Sequence, residues 1–374
     1  MIAVTGGGTG GHIFPCIAVI DELRRRGYER FLWIGQGKGL EELWARKIGV
    51  PFYGIRAGKL RRYLSLKNAI DGLSVLVGVL QCMRVVRRAR PLLLFSKGGF
   101  VSVPPVIAAR MLRVPVVTHE SDIIPGLATR IISRFASMVC VSFQKTLECF
   151  PGRRTAFTGN PVRKIIREGD REAGAAFLRL DEAAPVVLVV GGSSGASRLN
   201  AAVWKMREKY RLPFVLVHLC GEGNLREGLT PDPRYRQYPF IGEQMGDVIA
   251  ASDIVVSRAG AGALSEFACL SKPAVLVPLP KSASRGEQIE NAGYFQEHGA
   301  AVVISNRELN EDLLFDTIQR LLADRKRLKA MGASAHALTA EGAEKAICDI
   351  LESFLGTKRT GGGSPRGQRE GPPG

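Results

Sequence analysis

Gly6-Gly7-Gly8-Thr9-Gly10-Gly11-His12 follows the apolar run Ile2–Thr5, and Gly191-Gly192-Ser193-Ser194-Gly195-Ala196 follows the apolar run Val186–Val190. Each turn stands between a strand-like run and a helical pattern, where an α/β unit can bring backbone N–H groups against a phosphate at a helix N-terminus. Two such turns, half a chain apart, predict twin α/β domains facing each other across a cleft, with one substrate gripped from each side. A length of 374 residues suits two domains, and 45% hydrophobic content is enough for two cores.

Outward from the first turn the chain alternates strand-like and helix-like segments, with strands expected at Ile2–Thr5, Phe31–Ile34, Val50–Ile55, Pro91–Phe95, Val114–Thr118 and Met138–Val141. The first helix has Pro15 near its expected start, Ile17, Ile20 and Leu23 at helical spacing, and Gly27 as its stop. Thr158-Gly159-Asn160-Pro161 breaks both periodicities and marks the hinge, giving domains over 1–160 and 161–340. Beyond it, strands are expected at Val186–Val190, Phe214–Leu219, Tyr235–Phe240, Ile254–Ser257, Ala274–Val277 and Ala301–Ile304, and a last helix at Ala343–Leu355. Residues 357–374, rich in Gly, Pro, Ser and Arg without apolar periodicity, have the composition of a disordered tail.

The formal charge is +17, and about +13 of it lies in residues 1–150, an asymmetry that points to an anionic partner. From Arg56 to Arg90 the basic residues are Arg56, Lys59, Arg61, Arg62, Lys67, Arg84, Arg87, Arg88 and Arg90, with Leu73, Val75, Leu76, Val77, Val79 and Leu80 between them. Basic ends around an apolar middle fit an element lying on an anionic leaflet, and equally a helix packed on its own domain with solvated arginines. Interruption by Gly72, Ser74 and Gly78 makes the run too short and broken to span a bilayer. Strand-like residues from Met1 onward leave no room for a signal peptide, and the seven scattered cysteines form no C-x-x-C pair or metal-ligand spacing. They read as reduced core residues of a cytoplasmic protein.

Gly6-x-Gly8-x-x-Gly11 fits the dinucleotide fingerprint, yet the end of the second strand, Trp33-Ile34-Gly35-Gln36, offers no acid for a ribose, which argues against a nicotinamide cofactor. What remains is a bare backbone suited to a pyrophosphate. His12 closes this turn, either as a proton acceptor near neutral pH or as a cap. Two more loops follow expected strands: Ser96-Lys97-Gly98-Gly99-Phe100, open to close backbone approach, and His119-Glu120-Ser121-Asp122, which offers carboxylates for proton transfer or sugar hydroxyls, or simply a helix cap. In the second half, Arg258-Ala259-Gly260-Ala261-Gly262-Ala263-Leu264-Ser265-Glu266 opens a helix with little side-chain bulk, so phosphate can approach its amides while Glu266 takes ribose hydroxyls. Gln288 and Asn291, three apart on one helix face, suit sugar hydroxyls.

GGGTGGHIFP, SKGGFVSVP, HESDIIPGLA, TGNPVR, GGSSGAS, FIGEQM, SRAGAGALSE and EQIENAG, in this order and nearly end to end, closely resemble the MurG family, bacterial UDP-N-acetylglucosamine transferases that complete lipid II. The resemblance implies a GT-B fold, two Rossmann-like α/β domains, with the donor held mainly by the second domain, the lipid acceptor by the first, and the last helix (341–356) returning to the first. It implies UDP-GlcNAc and an undecaprenyl-diphosphate-linked acceptor as substrates, no required metal or other cofactor, no nucleic-acid partner, and a peripheral place on the cytoplasmic face of the membrane. Carried over by motif, Arg163 and Ser193 resemble donor-phosphate ligands, Ile241 a backbone contact to uracil, and Ala263 and Leu264, within Ala261-Gly262-Ala263-Leu264-Ser265, backbone phosphate contacts. Glu266 resembles the ribose ligand and Gln288 the reader of the sugar. Thr9, Gly10 and Gly11 match a loop at the donor-acceptor junction, Gly98, Gly99 and Phe100 the acceptor side, and His12 and Glu120 alternative proton acceptors or acceptor-sugar ligands. Asp122 stands where some relatives carry a donor-contacting asparagine, and Phe100 where they carry tyrosine. Another UDP-sugar-dependent lipid glycosyltransferase or a UDP-GlcNAc epimerase would share the twin domains.

Overall fold

The computed structural model describes residues 1–57, 66–180, 184–192 and 195–356, with side chains for all of these except 66–73. Ser193, the basic residues Lys59, Arg61 and Arg62, the side chain of Lys67 and the tail 357–374 fall outside that description. In the first half, strands β1 (Ile2–Thr5), β2 (Phe31–Gln36), β3 (Phe52–Ile55), β4 (Leu93–Ser96), β5 (Val116–Glu120), β6 (Met138–Val141) and β7 (Thr155–Phe157) build a sheet in the order β3-β2-β1-β4-β5-β6-β7. The second half repeats the plan with β8 (Val186–Val190), β9 (Val215–Leu219), β10 (Tyr235–Tyr238), β11 (Ile254–Ser257), β12 (Ala274–Leu276) and β13 (Ala301–Val303), in the order β10-β9-β8-β11-β12-β13. Every pairing in both sheets is parallel, from Ile2 opposite Phe31 to Leu276 opposite Val303.

Parallel strands covered on both faces must be apolar throughout rather than alternating, and the central strands are: Ala3, Val4, Leu93 and Leu94 are fully buried, as are Val187, Leu188 and Val189. The first-half helices are α1 (Gly10–Arg25), α2 (Leu40–Lys47), α3 (Leu66–Ala89), α4 (Val103–Met111) and α5 (Leu127–Ile132). After the crossing come α6 (Lys164–Arg167), α7 (Arg171–Leu178), α8 (Ser197–Lys209), α9 (Met245–Ala251), α10 (Ala261–Cys269), α11 (Glu287–Glu297), α12 (Glu311–Ala323), α13 (Arg325–Ala337) and α14 (Ala343–Gly356). Each sheet has a core on either face. A smaller core joins the halves, where Ile123 and Phe143 of the first pack with Ala259, Leu264 and Phe295 of the second, and the Phe143 ring meets Phe295 edge-on at 6.1 Å.

The last described helix, α14, packs on the first half. Ile347, Cys348 and Leu351 of α14 are fully buried in the core beneath α1. Arg26, just past α1, donates from Nη1 to Asp349 (2.6 Å) and Glu352 (2.7 Å) and from Nε to Glu22 (2.8 Å), so one guanidinium pins both helices.

Several local expectations give way to the structure. Helix α1 begins at Gly10, so Gly10, Gly11 and His12 are its first turn and Pro15 lies inside it, where a ring without N–H cannot bond the Gly11 carbonyl. Helix α3 is unbroken through Gly72, Ser74 and Gly78; a Cβ at Gly78 would sit 2.2 Å from the Arg56 carbonyl oxygen, so this glycine serves close packing and does not interrupt the helix. Val79, Cys82, Val85 and Val86 of α3 face the core, whereas Leu76 (57%) and Leu80 (53%) are exposed. Arg84, Arg87, Arg88 and Arg90 are exposed as well. Leu76, Leu80, Arg84 and Arg88 follow one another at four-residue spacing and form a stripe on one face. No helix among the described residues is long and apolar enough to cross a membrane. The cysteines are free, but Cys149 is exposed and Cys269 half-buried, so not all are core residues.

Candidate active site

In an open parallel sheet, ligands bind beyond the carboxyl ends of the two central strands where the winding reverses. Those strands are β1 and β4 in the first sheet, β8 and β11 in the second. Gly7 and Gly8 after β1, Gly99 after β4, Gly191 and Gly192 after β8, and Gly260 after β11 all line one cleft of about 1750 Å³. The first turns of α1 and α10 meet across it so closely that a Cβ at Gly262 would lie 3.9 Å from the Gly11 Cα. Bare backbone here lets two helix N-termini share one ligand.

The first wall is rich in titratable groups. Its glycine turn is not an empty anion cradle, because the buried Glu41 of α2 accepts from the Gly8 N–H (3.3 Å) and the Gln36 N–H (3.1 Å). An acid thus does reach the end of β2, contrary to the reading of Trp33-Ile34-Gly35-Gln36. It arrives from a helix five residues later and is spent on turn amides. Trp33 Nε1 donates to the Gly6 carbonyl (3.1 Å) and fixes the turn from the same side.

Thr9, Gly10, Gly11 and His12 line the cleft beside this turn, and Thr9 Oγ1 lies 3.1 Å from His12 Nδ1. Burial, reinforced by the charges of Lys97 and Arg285, pulls the imidazole pKa from 6.5 to about 4, so it is neutral at pH 7 and its lone pair is available. Glu120, 6% exposed, also lines the cleft; its Oε1 accepts from the Asp122 N–H (3.0 Å), and its Oε2 has no partner among the described residues. Burial, and next the neighbouring Glu120, raise Asp122 to about 7. The Asp122 carboxylate accepts from Asn291 Nδ2 (3.0 Å), a bond between the halves. Gly99 and Phe100 line the cleft, whereas Gly98 is not part of the lining; its N–H donates to Ser96 Oγ (3.2 Å) and its carbonyl accepts from Ser102 Oγ (2.6 Å). His119 is also withdrawn from the cleft: it is fully buried in β5, with Nε2 2.8 Å from the Gly159 carbonyl.

The second wall is built to hold. A helix leaves its first N–H groups without helical partners, here those of Ala261, Gly262 and Ala263, and all three residues line the cleft. Leu264, expected as a backbone phosphate contact, donates its N–H to the Gly260 carbonyl (3.0 Å), and its side chain is fully buried. Ser265 is turned inward too, donating to the Ala261 carbonyl (2.8 Å) and accepting from Asn160 Nδ2 (3.2 Å). Glu266 lines the cleft one turn into α10, its Oε1 3.1 Å from Arg163 Nη2. Burial raises the Glu266 carboxyl and the Arg163 charge draws it back down. Arg163 lies 4.5 Å over the Phe14 ring of α1, so it touches both halves. Ile241 lines the cleft from the loop after β10. Gln288 Oε1 accepts from the Leu279 N–H (3.1 Å), which leaves its amide N–H groups as the free donors. Asn291, grouped with Gln288 by spacing, is instead fully buried: its Oδ1 accepts from the Ile123 N–H (3.1 Å), and its Nδ2 bonds Asp122 and the Ala259 carbonyl (3.1 Å). It clasps the two walls.

Residues 2–141 match the glycosyltransferase family 28 N-terminal domain and residues 186–347 the glycosyltransferase family 28 C-terminal domain. A protein of Lachnospira eligens named UDP-N-acetylglucosamine--N-acetylmuramyl-(pentapeptide) pyrophosphoryl-undecaprenol N-acetylglucosamine transferase is 45% identical, over 87% of this chain and 91% of its own. A protein of the same name from Treponema denticola is 42% identical over 96% of this chain and 98% of its own. The crystal structure of Acinetobacter baumannii MurG superposes with a TM-score of 0.73 at 26% identity, covering 94% of this chain and 99% of that one. Likeness that runs through both walls of the cleft and nearly the whole length places the chain: it belongs to the MurG family.

Proposed function

We propose that the chain transfers N-acetylglucosamine from UDP-GlcNAc to the C4 hydroxyl of the muramyl sugar in undecaprenyl-diphosphate-MurNAc-pentapeptide, converting lipid I to lipid II in peptidoglycan synthesis. The observation that carries this reading is the division of labour across the cleft, a neutral imidazole and a buried carboxylate facing a helix N-terminus flanked by an Arg-Glu pair. The acceptor oxygen attacks C1 of the sugar from the first wall, the bond from C1 to the diphosphate oxygen breaks, and the configuration inverts. The hydroxyl proton passes to His12 or Glu120. UDP departs with its charge met by the free amides of Ala261, Gly262 and Ala263 and by Arg163, so transfer is expected to survive chelation of divalent ions. Glu266 takes the ribose hydroxyls through the oxygen that Arg163 leaves free, Ile241 meets the base through its backbone, and the Gln288 amide donates to the sugar hydroxyls.

The Leu76-Leu80-Arg84-Arg88 stripe, with Arg87 and Arg90, gives the first half a surface of apolar and basic groups suited to an anionic leaflet. In this reading the enzyme sits peripherally on the cytoplasmic face of the membrane, where a polyprenyl acceptor is presented to the wall that holds the base. The test is UDP release from UDP-GlcNAc with the undecaprenyl-linked acceptor, with diacylglycerol, or with neither. Release that requires the undecaprenyl acceptor is the expected result. Release with diacylglycerol alone would make the chain a different lipid glycosyltransferase, and a donor converted without any acceptor would make it an epimerase or hydrolase.

A further inference from the structure

The transfer reading leaves Lys97 unused. A lysine is almost never fully buried without a partner, yet Lys97 is 1% exposed and is not among the residues lining the cleft. Its backbone N–H extends β1 by donating to the Thr5 carbonyl (2.8 Å), and its ammonium donates to the Ser121 hydroxyl, which stands between Glu120 and Asp122. Around it are His12 and Cys16 from α1, and His119, Glu120 and Asp122 from β5 and the following loop. Arg285 bears on His12, and Glu287 on Asp122, from the second half. The cation therefore lies outside the cleft lining, beside the two carboxylates and the imidazole that do line it.

We propose that Lys97 is a positioning residue for glycosyl transfer: its buried ammonium, held by Ser121 between Glu120 and Asp122, keeps His12 uncharged and favours the ionised form of Asp122, so that the acceptor hydroxyl meets a base rather than an acid. The inference rests on the cleft being the transfer site. The neighbouring Glu120 opposes ionisation of Asp122 and the Lys97 charge favours it, while the same charge opposes a proton on His12. Burial draws the Lys97 pKa down to about 8, with Glu120 the first of the groups opposing that shift, so the ammonium persists at neutral pH. Removing it favours a proton on His12 and on Asp122. A lysine that merely filled space would leave the pH dependence where it was.

The experiment measures kcat/KM against pH, with the undecaprenyl-linked acceptor, for the unaltered enzyme, Lys97→Met and Lys97→Arg. The acidic limb is expected to move up by about one pH unit or more in Lys97→Met and to stay in place in Lys97→Arg. Histidine 15N spectra of the ligand-free protein supply a readout independent of turnover, the His12 signal being assigned by its loss in His12→Gln. In the unaltered protein His12 should stay neutral down to about pH 5, and its midpoint should rise in Lys97→Met. A loss of rate in Lys97→Met that is equal at every pH, or an unaltered His12 that titrates at its ordinary value near 6.5, overturns the proposal, the second result even if Lys97→Met does not fold. Absence of acceptor-dependent transfer by the unaltered enzyme would instead be the failure of the transfer reading.

Discussion

The two halves share a strand plan, β1 and β4 answering β8 and β11, yet the glycine-rich turns after β1 and after β11 have opposite fates. In the first, a buried carboxylate consumes the Gly8 amide, and the neighbourhood fills with Lys97, Glu120, Asp122 and His12, which titrate away from their ordinary values or lie beside groups that do. In the second, three amides at the start of α10 have no partner among the described residues, and the charges near them, Arg163 and Glu266, are paired with each other. One fold thus supplies a reactive wall and a gripping wall. The lesson is that a glycine-rich turn fixes where backbone is bare, while the side chain that reaches it from elsewhere decides what the backbone can still bind.

The comparison breaks first at His12. If the first wall carries proton transfer, His12→Ala lowers kcat by roughly 10²–10⁴-fold while UDP binding changes little, as stopped assays and calorimetry would show. A normal kcat would move the role to Glu120. Next, the first half should meet the membrane and the second the nucleotide. Neutralising Arg84, Arg87, Arg88 and Arg90 removes about 1 kcal/mol each of attraction to an anionic surface, so co-sedimentation with anionic vesicles should fall steeply at low salt while a water-soluble acceptor is used as before. Unchanged sedimentation would make the α3 stripe ordinary solvated surface.

On the gripping wall, Glu266→Ala should raise the UDP-GlcNAc Kd about 10–100-fold, because it removes charge-assisted hydrogen bonds to the ribose and leaves Arg163 unpaired. Calorimetry showing an unaltered Kd in a folded variant would reduce Glu266 to a structural partner of Arg163. The smallest effect is expected where the walls join. Asp122 has a folded-state pKa near 7, above the ordinary 3.8, so its contribution to stability is full at pH below 4 and is lost as pH rises toward 7. Asp122→Asn can still accept from Asn291 and escapes that loss. Its advantage in unfolding free energy over the unaltered protein should widen from pH 5 to pH 7.5, by on the order of 1 kcal/mol; an advantage constant with pH would contradict the assignment.

Much of this architecture was legible because it is local. A strand such as Val186–Val190 is an apolar run of the right length, and the turn after it is written in glycine. Side chains that act across the chain were not legible. Glu41 lies on an amphipathic helix where a glutamate reads as solvated, and nothing local says that it closes on Gly8, 33 residues earlier. Lys97 reads as a loop charge until β1 and β5 flank it. Asn291 shares a helical face with Gln288 by spacing, but the Phe143 and Ile123 contact brings the first half down on one end of that face and buries it. Leu264 and Ser265 fell within a motif whose bare backbone suggested ligand contacts throughout, whereas α10 has already closed its hydrogen bonds by the fourth residue.

The separation of the two walls is tested most directly by a double variant, His12→Ala with Glu120→Gln, in which UDP-GlcNAc binding is measured by calorimetry and transfer by single-turnover assay at saturating donor. The account predicts a Kd within about threefold of the unaltered enzyme, well under the tenfold that 1.4 kcal/mol would produce, with transfer falling below detection. A folded double variant that binds donor more than about tenfold more weakly, or that still transfers at an appreciable rate, would show that reactivity and grip are not divided between the halves.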